Sequence, residues 1–331
     1  TALARIIWIL TVDTVQISDF LLYHEYALLA SRGVFRLYHP TYAVFPFKFG
    51  YPLLLSLVYR LFGGRVMVGK MFNVFLSLCI CTQLYSTVRR IFDERTARVS
   101  GILFSVWPAQ VMFNSVIASE HVFLFLTLFS VQMLIYLSRN IKAHVKYFYS
   151  AMMGISLALG RFVRPVALLI IPVSALYLLV FADAGGKRQR PLRMKLLALA
   201  SSAAVFAVCL QLLYIPAGNM TGVQMAKSSS GFSLLMGTNY DSRGTYSPED
   251  EKIIREYDYD FDRIHSESVR RALERIISHP GLFLMLMEEK YAKQWGSEDY
   301  GVYWSTLRTS GKEGAAGTYL IENGKKLLAL S

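Results

Sequence analysis

Four charged side chains that could carry out chemistry lie in short connections between long apolar segments. Asp19 closely follows the first apolar segment, and Glu120 lies at the tip of a hairpin between two others. Arg161 and Arg164 lie at the tip of the next hairpin, and their spacing predicts that they share one helix face. A carboxylate at a membrane surface can act as a general base or bind a cation. Paired arginines can bind phosphate through their planar guanidinium groups.

Each of these residues also has a purely structural interpretation. Asp19 is a good N-cap for a helix predicted over Phe20–Ser31. Glu120 is costly near hydrocarbon unless it pairs or faces a polar cavity, but it is also compatible with a solvated turn. Arg161 and Arg164 are compatible with side chains that extend to the headgroups of bulk lipid. The residues alone leave both interpretations open.

Familiar signatures of soluble enzymes are absent from the sequence. It has no glycine-rich phosphate-binding loop, no spacing typical of a zinc site and no nucleophile elbow. Its three cysteines, Cys79, Cys81 and Cys209, lie within apolar runs, which indicates small buried side chains rather than disulfides or metal ligands. The charged groups between the apolar segments are therefore the main candidates for function.

The composition is typical of a membrane protein. Of the 331 residues, 54% are apolar and 18% are charged, whereas soluble domains are typically about 45–50% apolar and about 25% charged. The mean hydropathy is +0.37. These values exclude a disordered chain, and the low cysteine count excludes a small disulfide scaffold. The net charge of +12 would suggest nucleic-acid binding in a soluble protein, but in a membrane protein its distribution predicts orientation.

Several apolar runs are long enough to cross a bilayer, which takes about 20 residues. They are Val66–Val88, Val99–Ala118, His121–Ser138, Tyr147–Val163, Pro165–Ala182 and Lys195–Ile215. Ala2–Leu10 resembles the end of a further span. Because the chain begins with Thr1 and ends with Lys325–Ser331 entering another apolar stretch, we expect it to be part of a longer protein.

Most of the net positive charge lies in three connections, Arg89–Arg98, Arg139–Lys146 and Asp183–Lys195. These connections alternate with others that carry few lysines or arginines. The positive-inside bias therefore places the three basic connections in the cytoplasm. Residues 13–65 and 216–320 are then predicted to lie on the outer face.

Both outer segments contain sequences typical of helices. Tyr51–Gly63 is too short to span upright, and charge parity places both its ends outside, so we predict a helix against the outer leaflet. Phe283–Trp295 has the same amphipathic pattern. For both, an ordinary helix of a soluble subdomain is the alternative. Ser247-Pro248 predicts the start of a helix, and a second helix is predicted over Ser266–Ser278.

Two acids and an arginine pair on one membrane face, beneath a large polar segment, suit the transfer of a group from a lipid phosphate to an acceptor. An acid would activate the acceptor, and the basic groups would hold the leaving phosphate. A transporter or flippase of lipid-linked glycans is the main alternative, although it would favour charges at mid-bilayer and glycine or proline breaks in paired helices. A non-enzymatic scaffold of a cell-envelope complex is a third hypothesis.

Six short motifs occur in order along the chain. They are Asp19-x-x-x-Tyr23-x-x-x-Ala27, Tyr51-Pro52 with Leu61-Phe62-Gly63, Trp107-Pro108 with Ser119-Glu120, Arg164-Pro165, Ser230-Gly231 with Gly237-Thr238-Asn239 and Gly244, and His279-Pro280 with Lys290 and Trp295. Together they resemble the C-type (GT-C) membrane glycosyltransferases, in particular glycosyltransferase family 39, the branch of protein O-mannosyltransferases and aminoarabinose transferases. The resemblance implies an all-α polytopic membrane protein, a GT-C-type helical bundle with outer juxtamembrane helices and a large extracytoplasmic loop.

The resemblance also implies an activity. The expected reaction is inverting transfer of a hexosyl or pentosyl group from a polyprenyl-phosphate donor to an extracytoplasmic glycan, lipid or protein. The expected location is the bacterial plasma membrane, with the active site on the outer face, and nucleic acid is not an expected partner. No cofactor is certain, because some members of the family use a divalent cation and others do not.

The motifs transfer roles to particular residues. Asp19 is implied as the catalytic base, with Glu25 or Glu120 as a second acid. The candidates for binding the donor phosphate are Arg164, Arg161 and Lys48.

The implied division of the chain has three parts. Residues 1–215 form a transmembrane bundle that includes the first outer loop, 13–65. Residues 216–320 form an extracytoplasmic loop domain, and residues 321–331 begin a further segment. A glycine-containing substrate loop over Ser228–Gly244 is expected to close over bound substrate, because glycine leaves the backbone free to move. Its candidate residues, together with one from the following helix, are Gly237, Asn239, Gly244 and Lys290.

Overall fold

The computed structural model of the chain describes residues 1–36, 45–138, 142–181, 191–222, 224–225, 230–296 and 300–329. Within these ranges the regular structure is helical and no β-sheet forms. The one strand-like pairing described is an isolated antiparallel bridge between Thr14 and Thr309. The predicted all-α fold is confirmed.

The helices before residue 222 form a bundle, and those after it begin with a small cluster of their own and end packed against the bundle. The bundle helices are α1 (Ala2–Thr11), α2 (Ser18–Ser31), α3 (Gly50–Phe62), α4 (Val66–Ile91), α5 (Glu94–Val106), α6 (Pro108–Met112), α7 (Glu120–Leu137), α8 (Ala143–Val163), α9 (Ile170–Leu176) and α10 (Leu192–Thr221). The later helices are α11 (Ser230–Gly237), α12 (Pro248–Glu256), α13 (Phe261–Ser278), α14 (Pro280–Gly296), α15 (Tyr300–Thr306) and α16 (Ala315–Ala329). Short 3-10 turns cover Pro46–Phe49, Phe113–Ser115 and Pro165–Leu169, and a π-helical turn covers Tyr177–Phe181.

Among the described helices, α4, α7 and α10 are long and apolar enough to cross a membrane. They correspond to the predicted spans that begin at Val66, His121 and Lys195. The predicted span Tyr147–Val163 lies within α8, a helix of 21 residues. These helices support an integral membrane protein with several passes.

The apolar run from Pro165 forms a shorter helical segment that reaches Phe181. It consists of a 3-10 turn, α9 and a π-helical turn in succession. Its predicted end, Ala182, lies outside the described residues.

The prediction of one continuous span over Val99–Ala118 is wrong. Helix α5 ends at Val106, and a separate short helix begins at Pro108. Proline has no amide hydrogen to continue the α-helical pattern and disfavours helical backbone in the residue before it. Trp107 accordingly has a ψ of 114°. The break turns the chain so that α6 and the 3-10 turn after it lie in the interior near the start of α7.

The bundle packs its longer helices side by side. Helices α7 and α8 run antiparallel, since the Tyr136 and Tyr149 rings stack at 4.6 Å and the Ser156 hydroxyl donates to the Leu126 carbonyl at 2.7 Å. Helix α10 runs parallel to α8 and approaches it closely at Gly154. A Cβ atom there would lie 2.5 Å from the Ser202 carbonyl oxygen, so this contact requires glycine.

The two ends of the bundle differ in charge. Helix α4 ends in Arg89 and Arg90, and Arg89 pairs with Glu94 at 2.8 Å. Lys195 lies at the start of α10 and donates to the Leu179 carbonyl at 3.2 Å. Asp19, Glu120 and Arg164 lie at the other end. Residues 139–141 and 182–190 of the basic connections lie outside the described part of the chain, and which end faces the cytoplasm stays a prediction.

The polar segment after α10 has a small core of its own. Helices α11, α12 and α13 pack Phe232, Leu235, Ile253 and Ile264 together. Ser247 caps α12 as predicted, with its hydroxyl accepting from the Asp250 amide. The other predicted helix begins at Phe261 rather than Ser266, because Asp260 caps it by accepting from two backbone amides.

The predicted juxtamembrane sequences both form helices. Tyr51–Gly63 corresponds to α3, which packs on α2, and Phe283–Trp295 lies within α14. In α14, Leu286 is fully buried, whereas Leu284 and Trp295 are exposed. Exposed apolar side chains on a helix that is anchored by its other face fit the predicted position at a membrane surface.

Candidate functional site

Asp19 lies in the first turn of α2 and forms an ion pair rather than a helix cap. Helix α2 begins at Ser18, and no side chain caps its N-terminus. Both carboxylate oxygens of Asp19 instead accept from the Lys48 ammonium at 2.8 Å. Ser18 has a φ of +53°, a region that costs most non-glycine residues energy. The structure therefore does not support the interpretation of Asp19 as an N-cap.

Lys48 is positioned by a tight contact between two helix ends. It lies in the 3-10 turn Pro46–Phe49, immediately before Gly50 at the start of α3. A Cβ atom on Gly50 would lie 1.7 Å from the Phe162 carbonyl oxygen near the end of α8, so only glycine allows this approach. The Lys48 ammonium also lies 5.0 Å from the centre of the Phe45 ring, a cation–π contact. Packing thus restricts where the ammonium can lie.

Glu120 and Arg164 form a second ion pair at the same end of the bundle. Glu120 is the first residue of α7, and Arg164 follows the last residue of α8. A guanidinium nitrogen of Arg164 lies 2.5 Å from the Glu120 carboxylate and donates to the Ser119 hydroxyl at 3.2 Å. Both side chains remain about one third exposed (36% and 30%). This pair is accessible to a ligand.

Two tyrosines lie close enough to both ion pairs to sense their charge. Burial, followed by the negative charges of Asp19 and Glu120, raises the pKa of Tyr23 above its usual value. Burial and the same two carboxylates raise the pKa of Tyr300 to about 12. The Tyr300 hydroxyl lies 3.5 Å from the Glu120 carboxylate. The two acids and two cations therefore form one electrostatically connected site, which we call the paired-charge site (Asp19, Lys48, Glu120 and Arg164).

Arg164 remains charged in this setting. Burial by itself would lower the pKa of its guanidinium, but the adjacent Glu120 carboxylate more than offsets burial and raises that pKa. A permanently charged, half-buried guanidinium beside an open face is well suited to bind phosphate.

Arg161 lies elsewhere. The two arginines do not share a helix face, because α8 ends at Val163 and Arg164 has an extended backbone with a φ of −146°. Arg161 is buried, and its guanidinium lies 5.9 Å from the centre of the Tyr214 ring on α10. No described contact joins it to Glu120 or Lys48. Its role in phosphate binding stays a prediction that this geometry does not favour.

Glu25 is also separate from the paired-charge site. It lies on α2 beyond Asp19, is exposed, and acts electrostatically on its neighbour His24. No described contact joins it to Arg164 or Lys48. Of the two candidates for a second acid, Glu120 is the one that the structure brings to Asp19 and its tyrosine neighbours.

The four residues predicted to bind substrate, Gly237, Asn239, Gly244 and Lys290, hold a turn together through hydrogen bonds. The Lys290 ammonium donates to the Gly237 carbonyl at 2.9 Å. Asn239 is buried and donates to Asp250 at 2.9 Å, while Gly244 has a φ of +67° and donates to the Asn239 carbonyl at 2.8 Å. No described contact joins these residues to the paired-charge site. Ser228, the predicted start of the loop, lies outside the described residues, and the substrate role stays a prediction.

Sequence reasoning missed Tyr300 and a buried lysine. Tyr300 is far along the chain, and no local pattern marks it. Lys70 is almost fully buried near the start of α4, 3.6 Å from the Asp13 carboxylate. A lysine within an apolar span is costly unless it is paired. The position of Lys70 in such a span could therefore have predicted an acidic partner such as Asp13. Across the described ranges, no cluster of three or more histidine, cysteine or acidic side chains is arranged to hold a metal ion.

A bundle with several apolar helices long enough to cross a membrane places the protein in the class of multispan membrane proteins, here with paired charges at one end. Within that class, the family that matches is the dolichyl-phosphate-mannose-protein mannosyltransferase family, whose sequence model covers residues 46–215. The matched region is just over half of the chain, and the chain belongs to this family. No curated protein and no solved structure gives a significant match.

Membership identifies the protein as a GT-C membrane glycosyltransferase that uses a lipid-linked sugar donor. The matched region contains Lys48, Glu120 and Arg164, and Asp19 and Tyr300 lie outside it. The resemblance drawn from the six motifs is therefore confirmed at the level of the family.

Proposed function

We propose that the protein transfers a sugar from a polyprenyl phosphate to a hydroxyl group of an extracytoplasmic acceptor, with Asp19 as the general base. The observation that carries the proposal is the paired-charge site, in which each acid is held by a cation suited to a phosphate. Hexosyl and pentosyl donors both fit this chemistry, and the acceptor is a glycan, a lipid or a protein.

The donor phosphate would compete with the Asp19 and Glu120 carboxylates for Lys48 and Arg164. A phosphodiester offers oxygens that bind lysine and arginine through charge-assisted hydrogen bonds. Lys48 pairs with Asp19 and Arg164 pairs with Glu120, and both cations remain partly accessible. A phosphate that binds them weakens their hold on the acids. Donor binding would thereby free Asp19 to act as a base.

The acceptor oxygen forms a bond to the anomeric carbon while the bond between that carbon and the phosphate oxygen breaks. The bonding electrons leave with the phosphate, whose added charge Lys48 and Arg164 stabilise. The acceptor proton moves to Asp19, whose side chain is 42% exposed and so is open to an incoming hydroxyl.

Glu120 is proposed to orient Arg164 rather than to receive the proton. It binds the guanidinium at 2.5 Å, and Ser119 binds the same group. This arrangement limits the directions in which the guanidinium can donate. The outer location of the site is supported by the basic side chains at the opposite end of the bundle.

A proteoliposome assay tests this function. Protein is reconstituted with dolichyl-phosphate mannose and, in parallel, with glucosyl and aminoarabinosyl polyprenyl phosphates, each with an envelope extract as the source of acceptor. The expected result is loss of sugar from one lipid, release of free polyprenyl phosphate and labelled acceptor. Movement of an intact lipid-linked sugar between leaflets, with no sugar released, would instead support the flippase hypothesis.

A further inference from the structure

A second group of charged side chains surrounds a cavity of about 330 Å³ at the end of the bundle opposite the paired-charge site. The described side chains that line it come from the last two turns of α4 and are Tyr85, Ser86, Arg89 and Arg90. Arg90 contacts Tyr136 near the end of α7, whereas Glu120 begins that helix. Along the axis of α7 these two positions are about 24 Å apart, so the cavity is separate from the proposed transfer site.

Aromatic rings hold Arg90 in place beside the cavity. Its guanidinium carbon lies 4.5 Å from the centre of the Tyr136 ring, and that ring stacks on Tyr149 of α8 with 4.6 Å between centres. The Arg90 Nε also donates to the Ser86 hydroxyl at 3.5 Å. These contacts restrict the position of the guanidinium without neutralising its charge, because the rings and the hydroxyl are uncharged.

The acids near the cavity leave an excess of positive charge. The Glu94 carboxylate pairs with Arg89 at 2.8 Å and with Arg98 at 3.0 Å, so one negative charge is shared between two arginines. The other acid, Asp93, is the N-cap of α5. The connection Arg89–Arg98 contains four arginines and these two acids, so its net charge is +2. Excess positive charge around a cavity favours an anionic ligand.

Exposed apolar side chains next to the arginines indicate which anion fits. Ile91 and Phe92 directly follow Arg90, and both are exposed, as is Val99 on the adjacent helix α5. Cations beside exposed apolar side chains, at the end of a helix that can span a membrane, match the boundary between phosphate headgroups and acyl chains. A free phosphate ion would contact only the cations, whereas a phospholipid also covers the apolar side chains.

We propose that this cavity binds the phosphate of an anionic phospholipid, whose acyl chains lie against the exposed apolar side chains beside it. Arg89 and Arg90 donate charge-assisted hydrogen bonds to the phosphate oxygens, and Tyr85 and Ser86 offer hydroxyl groups to a polar headgroup such as glycerol. Because Arg90 stacks on α7, and α7 stacks on α8 through Tyr136, a lipid bound to α4 ties the ends of three helices together. The bound lipid therefore stabilises the bundle, independently of sugar transfer.

The test titrates delipidated protein in a neutral detergent with phosphatidylglycerol, phosphatidylcholine or inorganic phosphate. Native mass spectrometry measures bound lipid, and thermal unfolding measures the stabilisation by each ligand. Wild type is compared with Arg90→Gln and Arg89→Gln, each of which removes one cation from the cavity, and with Arg95→Gln. Arg95 is the matched control, because it is an exposed arginine of the same connection that does not line the cavity.

We expect wild type and Arg95→Gln to bind phosphatidylglycerol saturably and more tightly than phosphatidylcholine, and to unfold at a higher temperature with it. In Arg90→Gln and Arg89→Gln the dissociation constant for phosphatidylglycerol should rise about tenfold, the effect of one charge-assisted hydrogen bond. Their affinity for phosphatidylcholine should stay close to that of wild type. Inorganic phosphate should bind wild type more weakly than the anionic lipid does.

Three results would overturn the inference. Equal affinity of wild type for the two lipids would show that the cavity does not recognise an anionic headgroup. An equal loss of affinity in Arg95→Gln and Arg90→Gln would show that the charge of the whole connection, rather than the cavity, attracts the lipid. Binding of inorganic phosphate as tight as that of phosphatidylglycerol, and equally sensitive to Arg90→Gln, would identify a site for the free ion instead of a lipid.

Discussion

Two of the described clusters in which an aspartate binds a basic side chain differ in how completely the acid is enclosed. In the polar segment, Asp250 is 4% exposed and accepts from Asn239 and from two nitrogens of Arg275. At the bundle end, the side chain of Asp19 is 42% exposed and has Lys48 as its described partner. The first acid has no room for a ligand, whereas the second has an open side.

The comparison shows that residue type does not by itself separate structural from functional charges. Asn239, Gly244 and Lys290 matched a family motif, yet in the structure Asn239 donates to Asp250, Gly244 donates to the Asn239 carbonyl and Lys290 donates to the Gly237 carbonyl. Lys48 and Arg164 are held just as firmly but on a surface that a ligand can reach. A buried, fully bonded charge stabilises a fold, and a partly exposed one with a replaceable partner is available for chemistry.

The largest expected effect is a loss of unfolding free energy when the Asp250 cluster is disrupted. Arg275→Ala leaves the buried Asp250 carboxylate without its cation, which costs about 3–5 kcal/mol of unfolding free energy. Thermal unfolding in detergent measures the loss. Arg270→Ala on the same helix is the control, because its partners Glu267 and Glu274 form surface pairs that contribute little. Equal stability of the two variants would show that the Asp250 cluster is not structural.

Removal of Arg164, the arginine proposed to bind the donor phosphate, should affect donor binding next most strongly. Arg164→Ala removes one charge-assisted contact worth about 1.5–3 kcal/mol, so the dissociation constant for polyprenyl phosphate should rise tenfold or more. Arg60→Ala, which removes an exposed arginine from α3, serves as the control. Unchanged affinity in a folded Arg164→Ala protein would remove Arg164 from the site.

A smaller effect is expected at Tyr300, which contacts Glu120 across a long 3.5 Å. Tyr300→Phe removes one weak hydrogen bond, so donor affinity should fall about twofold. Because the pKa of Tyr300 is raised to about 12, its hydroxyl stays protonated at neutral and mildly alkaline pH. The ratio of the donor affinity of wild type to that of Tyr300→Phe should therefore be constant from about pH 6 to about pH 9. A ratio that changes across this range would contradict a protonated Tyr300.

Much of the fold followed from the sequence because long apolar runs and prolines act locally. Helices α4, α7 and α10 were predicted from composition and length, and Ser247 was predicted as a cap. The prediction of one span over Val99–Ala118 was wrong because it did not take the local effect of Pro108 into account. Proline's effect on the preceding residue divides that run into two helices.

The sequence predicted residues that belong to the candidate site, but it did not predict how they pair in space. Asp19, Glu120 and Arg164 stood out because they lie in short connections away from the three basic ones. Their pairing depends on which helix ends meet in space, as at the contact between Gly50 and Phe162. Spacing along the chain could not reveal that Arg161 lies inside the bundle against Tyr214, or that Tyr300 joins Glu120.

The most direct test of the account is the single-turnover rate of sugar transfer by Asp19→Asn, with Glu25→Gln as a control on the same helix. Asparagine keeps the size of the side chain and removes its charge, and Asp19 caps no helix, so folding should be unaffected. We predict a rate lowered by about 10²–10⁴-fold, with an unchanged unfolding temperature and a polyprenyl phosphate affinity that is not reduced, and Glu25→Gln close to wild type. A folded Asp19→Asn protein that transfers sugar at the wild-type rate would contradict the assignment of Asp19 as the base.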